Sequence, residues 1–153
     1  MNWFAFIALA VTGFTACSEF GSYAFVHPVI RRLPPNYHIQ VEQGLLKTFG
    51  RVMPFLMTLC SVISISYLIH VWSLSGTVRI LAILSAISFG GALLSTIIFN
   101  VPVNLATGKW DAEHPPENWK ATRDKWELFQ AIRSWLLLIG FIFLTAAVVG
   151  QTG

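Results

Sequence analysis

The sequence is short of charge. Asp, Glu, Lys and Arg together make up 11% of its 153 residues, while 55% are apolar. A water-soluble domain is roughly a quarter charged, so this chain has too little polar surface to cover itself in water. It reads as an integral membrane protein, and the lipid bilayer is its first partner. The formal charge of +3 therefore argues for no nucleic-acid partner. Cysteine is scarce too. Cys17 and Cys60 both fall inside apolar runs, which excludes a disulfide or zinc framework. Phe14-Thr15-Ala16-Cys17 loosely has the form of a lipoprotein processing site, but no Lys or Arg precedes it, as a secretory signal requires. Nucleophile elbows, phosphate-cradling glycine loops, dinucleotide fingerprints and the H-E-x-x-H and Cys-x-x-Cys patterns are all missing. No two of His27, His38, His70 and His114 stand at metal-ligand spacing. The reading is no metal and no cofactor, the alternative being a haem or metal held by His27 with a distant partner.

What the chain has is long apolar runs. Four of them, Trp3 to Val26, Phe49 to Trp72, Val78 to Val101 and Leu128 to Val149, each supply about the 20 residues that 30 Å of hydrocarbon demands. Bare backbone polar groups cannot face lipid, so these runs are predicted to be helices. The expected fold is all-α: residues 1–153 as one membrane domain, a bundle of four transmembrane helices. Pro28, Pro34 and Pro35 are expected to end the first helix and Pro102 to close the third. Ser75-Gly76 reads as a tight connection between the second and third. Gly90-Gly91 reads as a close helix contact. A long polar segment, Asn104–Glu127, joins the third helix to the fourth, with helical spacing starting at about Pro116. With four spans, Arg31, Arg32, Lys47, Arg51, Lys109, Lys120, Arg123, Lys125 and Arg133 lie toward one side of the membrane and Arg79 alone toward the other. That imbalance predicts a multi-pass plasma or inner-membrane protein with both long loops in the cytoplasm and both termini outside.

Candidate functional residues cluster at the cytoplasmic end. Trp119, Trp126 and Arg133 recur every seven residues, with Arg123 four after Trp119. A seven-residue step drifts by only about 20° on a helix, so these groups share one stripe. Glu19, Tyr23 and His27 follow at i, i+4 and i+8 on the first helix. Glu19 falls well inside the bilayer, where an ionisable side chain is costly and turns to the bundle interior to pair or to carry protons. Tyr23, His27, Asn100, Asn104 and Arg133 are its candidate partners. Together with Trp126 these groups are predicted to line a pocket near the cytoplasmic leaflet. Aromatic walls with a few convergent polar groups describe a small-molecule site. The competing account makes Trp126 and Arg133 interfacial anchors.

The order Pro102-x-Asn104, a polar loop, Trp126, then Arg133 seven later and an apolar helix resembles the anthrone oxygenase-like family of small four-helix membrane proteins (domain of unknown function 1772). The first helix ending in His27-Pro28 fits as well. The resemblance implies a monooxygenase that oxidises a hydrophobic aromatic ketone with molecular oxygen and needs no cofactor. It further implies His27 or Glu19 as base, Arg133 with Arg123 as anion partner, and Asn104 as hydrogen-bond donor. Trp126 would stack on the ring system, with Tyr23 and Asn100 completing the substrate contacts. Two other classes fit the same composition. One is a small proton-coupled exporter built on Glu19, although the long loop is foreign to such compact proteins. The other is a non-catalytic membrane partner subunit. A homo-oligomer is compatible with all three.

Overall fold

A computed structural model describes residues 2–74 and 76–152, the last without its side chain. It is all-α, with five helices among the described residues. They are α1 (Trp3–Ile30), α2 (Pro35–Lys47), α3 (Phe49–His70), α4 (Gly76–Thr107) and α5 (Trp119–Thr152). All but α2 are long and apolar enough to cross a membrane. Each long helix packs on the next, and α5 closes the ring against α1, the arrangement of an up-and-down bundle.

Small residues let the helices approach. The interior holds Ala8, Thr12 and Ala16 of α1 and Ser85 and Ala92 of α4, all sealed from solvent. They pack around Met57, Phe89, Leu137 and Leu144. At Gly140 of α5 a Cβ would meet Ser88 Cβ at 3.1 Å and Phe89 Cε2 at 3.2 Å, and Ser85 donates to the Gly140 carbonyl at 2.9 Å. Gly140, with Gly13, where a Cβ would meet Phe141 at 3.0 Å, and not Gly90-Gly91, is therefore where glycine allows a close contact. Nothing lies within 4 Å of a Cβ built on Gly90, and Gly91 has only ordinary contact with Leu136. The outer faces stay apolar, with Phe25, Phe55, Ile69 and Leu105 all largely exposed, as suits a surface bathed in lipid.

The first helix does end before Pro34 and Pro35, but Pro28 and Pro102 do not stop their helices. Proline removes a helical N–H and crowds the carbonyl four residues back. Here each is preceded by one wide turn, a π-helix over Ser22–Val26 and another over Thr96–Asn100, closed by His27 N–H to Ser22 C=O and by Val101 N–H to Thr96 C=O. The extra residue relieves the clash, as single π turns do. So α1 runs through Pro28 to Ile30 and α4 through Pro102 to Thr107. The two turns share a pattern that the sequence reading passed over: a hydroxyl residue (Ser22, Thr96), Phe three residues on (Phe25, Phe99) and Pro six on.

Three other boundaries differ from expectation. The second span ends at His70, not Trp72. The third begins at Gly76, while Ser75 of the expected turn lies outside the described residues. The fourth helix starts at Trp119, ahead of the apolar run that begins at Leu128 and close to the helical spacing expected from about Pro116, so Trp119, Arg123, Trp126 and Arg133 do share one helix. The loop before α3 also contains a helix, α2, which the sequence reading did not anticipate. Pro35 is its first residue, where a missing N–H costs nothing, and it buries His38, Ile39 and Glu42 while leaving Tyr37 and Val41 outside.

Candidate functional site

The site lies where all five helices meet at one end of the bundle. Both π turns deliver a residue to Trp126 of α5. The His27 ring lies 5.0 Å from the indole, and Asn100 Nδ2 donates to the Trp126 carbonyl at 3.1 Å. Without the extra residue in each turn, these side chains would be rotated by about 100° around their helices. The indole is further fixed by Arg123, whose guanidinium carbon sits 4.1 Å from the ring centroid, and more distantly by Arg133 at 5.9 Å.

Two buried ion pairs organise the polar wall. In the deeper one, Glu19 Oε2 accepts from Gln130 Nε2 at 3.0 Å and from Arg133 Nη2 at 3.1 Å, and Gln130 Oε1 in turn accepts from Arg133. Ser134 Oγ donates to the Glu19 carbonyl at 3.3 Å. Glu19 is 1% exposed and Arg133 7%, so each charge depends on the other. Among the described residues, Glu19 Oε1 and Arg133 Nη1 carry no protein partner.

The shallower pair joins α2 to α5. Arg123 Nη2 lies 2.6 Å from Glu42 Oε1, a close ion pair rather than an aligned hydrogen bond. The same oxygen is 3.6 Å from His27 Nδ1 and 3.9 Å from His38 Nε2. Burial pushes the Glu42 carboxyl up, and the Arg123 charge pulls it back. Burial and then the charge of Arg123 hold His38 down at about 4, so it is neutral at pH 7. Gln43 pins α2 in place by donating to the Thr107 and Trp110 carbonyls at 3.0 and 2.9 Å. Nearer the surface, Arg31 Nε pairs with Glu127 at 2.7 Å.

A cavity of about 440 Å³ opens between these pairs. Glu19, His27, Glu42, Asn104, Trp126, Gln130 and Arg133 give it one polar wall, Leu45, Leu46, Phe49, Met53, Pro54, Val101 and Leu105 make most of the rest apolar, and Ser22, Thr96 and Lys109 also line it. Of the eight residues singled out from the sequence, Glu19, His27, Asn104, Trp126 and Arg133 line it together. Asn100 and Arg123 are buried behind it as supports of Trp126. Tyr23 is not brought to Glu19. It lines a second cavity of about 540 Å³ between α1 and α5, rimmed by Arg31, Asp124 and Glu127 and sharing only His27 and Gln130 with the first. Glu42, His38 and Gln130 were missed. Gln130 could have been found, since it lies three and four residues from Arg133 and Trp126 on the same stripe. Glu42 and His38 needed α2 to be recognised first.

Among the described residues, no group of three or more His, Cys, Asp or Glu is arranged to hold a metal ion. His27 does have Glu42 and His38 nearby, but the Arg123 guanidinium occupies the carboxylate oxygen they would share and opposes a cation there. What the wall offers instead is donors beside acceptors around an apolar chamber. Among the described residues His27 Nε2 has no protein partner and, unlike Nδ1, is not sealed.

No curated protein and no solved structure matches the chain. Residues 45–143 do match the sequence model named Anthrone oxygenase. That stretch carries Asn100, Asn104, Arg123, Trp126, Gln130 and Arg133, while Glu19, His27 and Glu42 lie ahead of it. The chain belongs to the anthrone oxygenase family.

Proposed function

We propose that this protein is a membrane-embedded monooxygenase that converts the activated methylene of a hydrophobic aromatic ketone to a second carbonyl, using molecular oxygen. The observation that carries the reading is the convergence of Glu19, His27 and Arg133 on one cavity with a largely apolar far wall, in a chain of this family. In the overall balance one methylene and one dioxygen give one carbonyl and one water. The methylene carbon is oxidised, dioxygen is reduced, and both methylene hydrogens end in the water. A base takes one methylene proton. The resulting carbanion, delocalised onto the ketone oxygen, gives one electron to dioxygen, and the two radicals combine to form the C–O bond. The peroxide takes up a proton. Loss of the second methylene proton then forms the new C=O as the O–O bond breaks, and the departing hydroxide leaves as water.

His27 Nε2 serves as the base and Arg133 Nη1 stabilises the ketone oxygen as charge develops there. Asn104 supplies a further hydrogen bond, and the His27 imidazolium returns its proton to the peroxide while Glu19 stays the ionised partner of Arg133. Trp126 acts as a wall, because Arg123 covers a face of the indole that stacking would need. The apolar remainder of the chamber excludes water, which would otherwise quench the carbanion.

The test gives a hydroxylated anthrone and air to the protein in detergent. Quinone absorbance should rise with one dioxygen consumed per quinone, and His27→Gln should lower kcat by about 10²–10⁴. Tight binding with proton release and no quinone would instead identify a proton-coupled exporter. Absence of any binding would leave a non-catalytic partner.

We further infer that the cavity end faces the cytoplasm, from the concentration of Lys and Arg there. Single cysteines placed at Lys109 and Ser73 in a chain freed of Cys17 and Cys60 check this. Impermeant reagent added outside intact cells should label position 73 alone, and labelling of 109 alone reverses the orientation.

A further inference from the structure

His27 is asked to act through one ring nitrogen, yet nothing assigned so far decides which nitrogen carries the proton. We propose that Glu42 is the positioning residue that does so, holding the proton on His27 Nδ1 and leaving the Nε2 lone pair to the cavity. The proposal rests on His27 being the base of the reaction above.

The geometry is specific. Glu42 Oε1 lies 3.6 Å from Nδ1, and Nδ1 is sealed with no other partner. A carboxylate beside one imidazole nitrogen favours a proton on that nitrogen and steadies the imidazolium that forms when the other takes a proton. The ring is also braced on its face by Trp126, so it cannot turn freely. Glu42 itself is held on two sides. Arg123 approaches the same oxygen, and the neighbouring Gln43 fixes α2 through two main-chain carbonyls at the end of α4 and beyond. His38, Lys120, Asp124, Glu127, Arg31 and Arg133 are the other charged or titratable groups around this cluster. None of them lies as near Nδ1 as Glu42 among the ion pairs found. A buried carboxylate whose only task was to pair with Arg123 would not need a histidine on either side.

The test separates positioning from scaffolding with two readouts. Glu42→Gln is expected to lower kcat about 10–100-fold and leave KM within about twofold, since it removes charge from behind the base while keeping the size and shape of the cavity wall. In a His27→Gln background the same change should cost nothing further, because residues that act as one unit are not additive. Multiplying losses would overturn the proposal and make Glu42 a scaffold. Glu42→Asp, which keeps a counter-charge for Arg123 and so protects folding, should show a smaller loss of the same kind. The second readout needs no turnover. ¹⁵N spectra of the histidine side chains should show His27 protonated on Nδ1 in the wild type, with that preference weakened in Glu42→Gln. A wild-type ring protonated on Nε2 overturns the proposal. An Nδ1–H ring that Glu42→Gln disturbs, in a chain that oxidises no anthrone, supports the positioning and counts against the reaction instead.

Discussion

Arg133→Met is expected to destabilise the protein by about 3–5 kcal/mol and Glu19→Leu by a similar amount, while the double variant recovers most of the loss. Both charges are almost sealed, at 7% and 1% exposure. Arg133 Nη2 and Glu19 Oε2 are 3.1 Å apart, with Gln130 bonded to both. Removing one partner strands a charge at membrane depth with an amide as its remaining hydrogen-bond partner. Removing both replaces two desolvated ions with apolar side chains of similar size, which cores accept at little cost. Unfolding of the four variants in one detergent, as a double-mutant cycle, measures the coupling. Simple addition of the two single losses would mean that the pair is loose and hydrated, and the deep wall of the cavity would have to be redrawn. The double variant should nevertheless be inactive. Stability and activity parting in that way would show that the pair is retained for the chemistry it presents, not for the bundle.

Composition made the membrane fold legible, because four apolar runs have few other ways to exist. The end of the bundle that matters was less legible, for two physical reasons. First, the stripe Glu19, Tyr23, His27 assumes 3.6 residues per turn throughout. The π turn over Ser22–Val26 adds a residue inside it, so the stripe is broken: Tyr23 lines only the second cavity, while His27 reaches the first as well. The same device carried α4 past Pro102, which the rule that proline ends a helix forbade. A repeated hydroxyl–Phe–Pro spacing was the available signal, and one sequence gives little reason to trust a seven-residue likeness. Second, Glu42 sits in a polar stretch between prolines and a membrane span, where a charged residue reads as a solvated face. Only the assembled bundle shows that it points inward at Arg123 and His27. By contrast, Trp126 and Arg133 were legible because α5 is a regular helix from Trp119 onward, and seven-residue spacing there meant what it usually means.

Arg133→Lys should insert and fold, yet lose about 10²–10³ in activity. An interfacial anchor would tolerate this change, since the charge and the length of the side chain are nearly kept. The structure gives Arg133 a divided task that one ammonium cannot perform. Its Nη2 donates to Glu19 and to Gln130, while Nη1 has no protein partner and is the nitrogen left for a ligand oxygen. The planar fork fixes the angle between the two, so fastening one nitrogen to α1 aims the other. A lysine must choose. If its ammonium pairs with Glu19, the fold survives and the cavity loses its donor. If it turns to the ligand, Glu19 is left with Gln130 alone. Either way the ketone oxygen meets a weaker or misplaced positive group as its charge develops. The loss should therefore fall on kcat more than on KM. Kinetics alongside a melting curve for this single variant check both halves. Wild-type kcat in a normally folded Arg133→Lys protein would return Arg133 to the role of anchor and leave the ketone oxygen to Asn104.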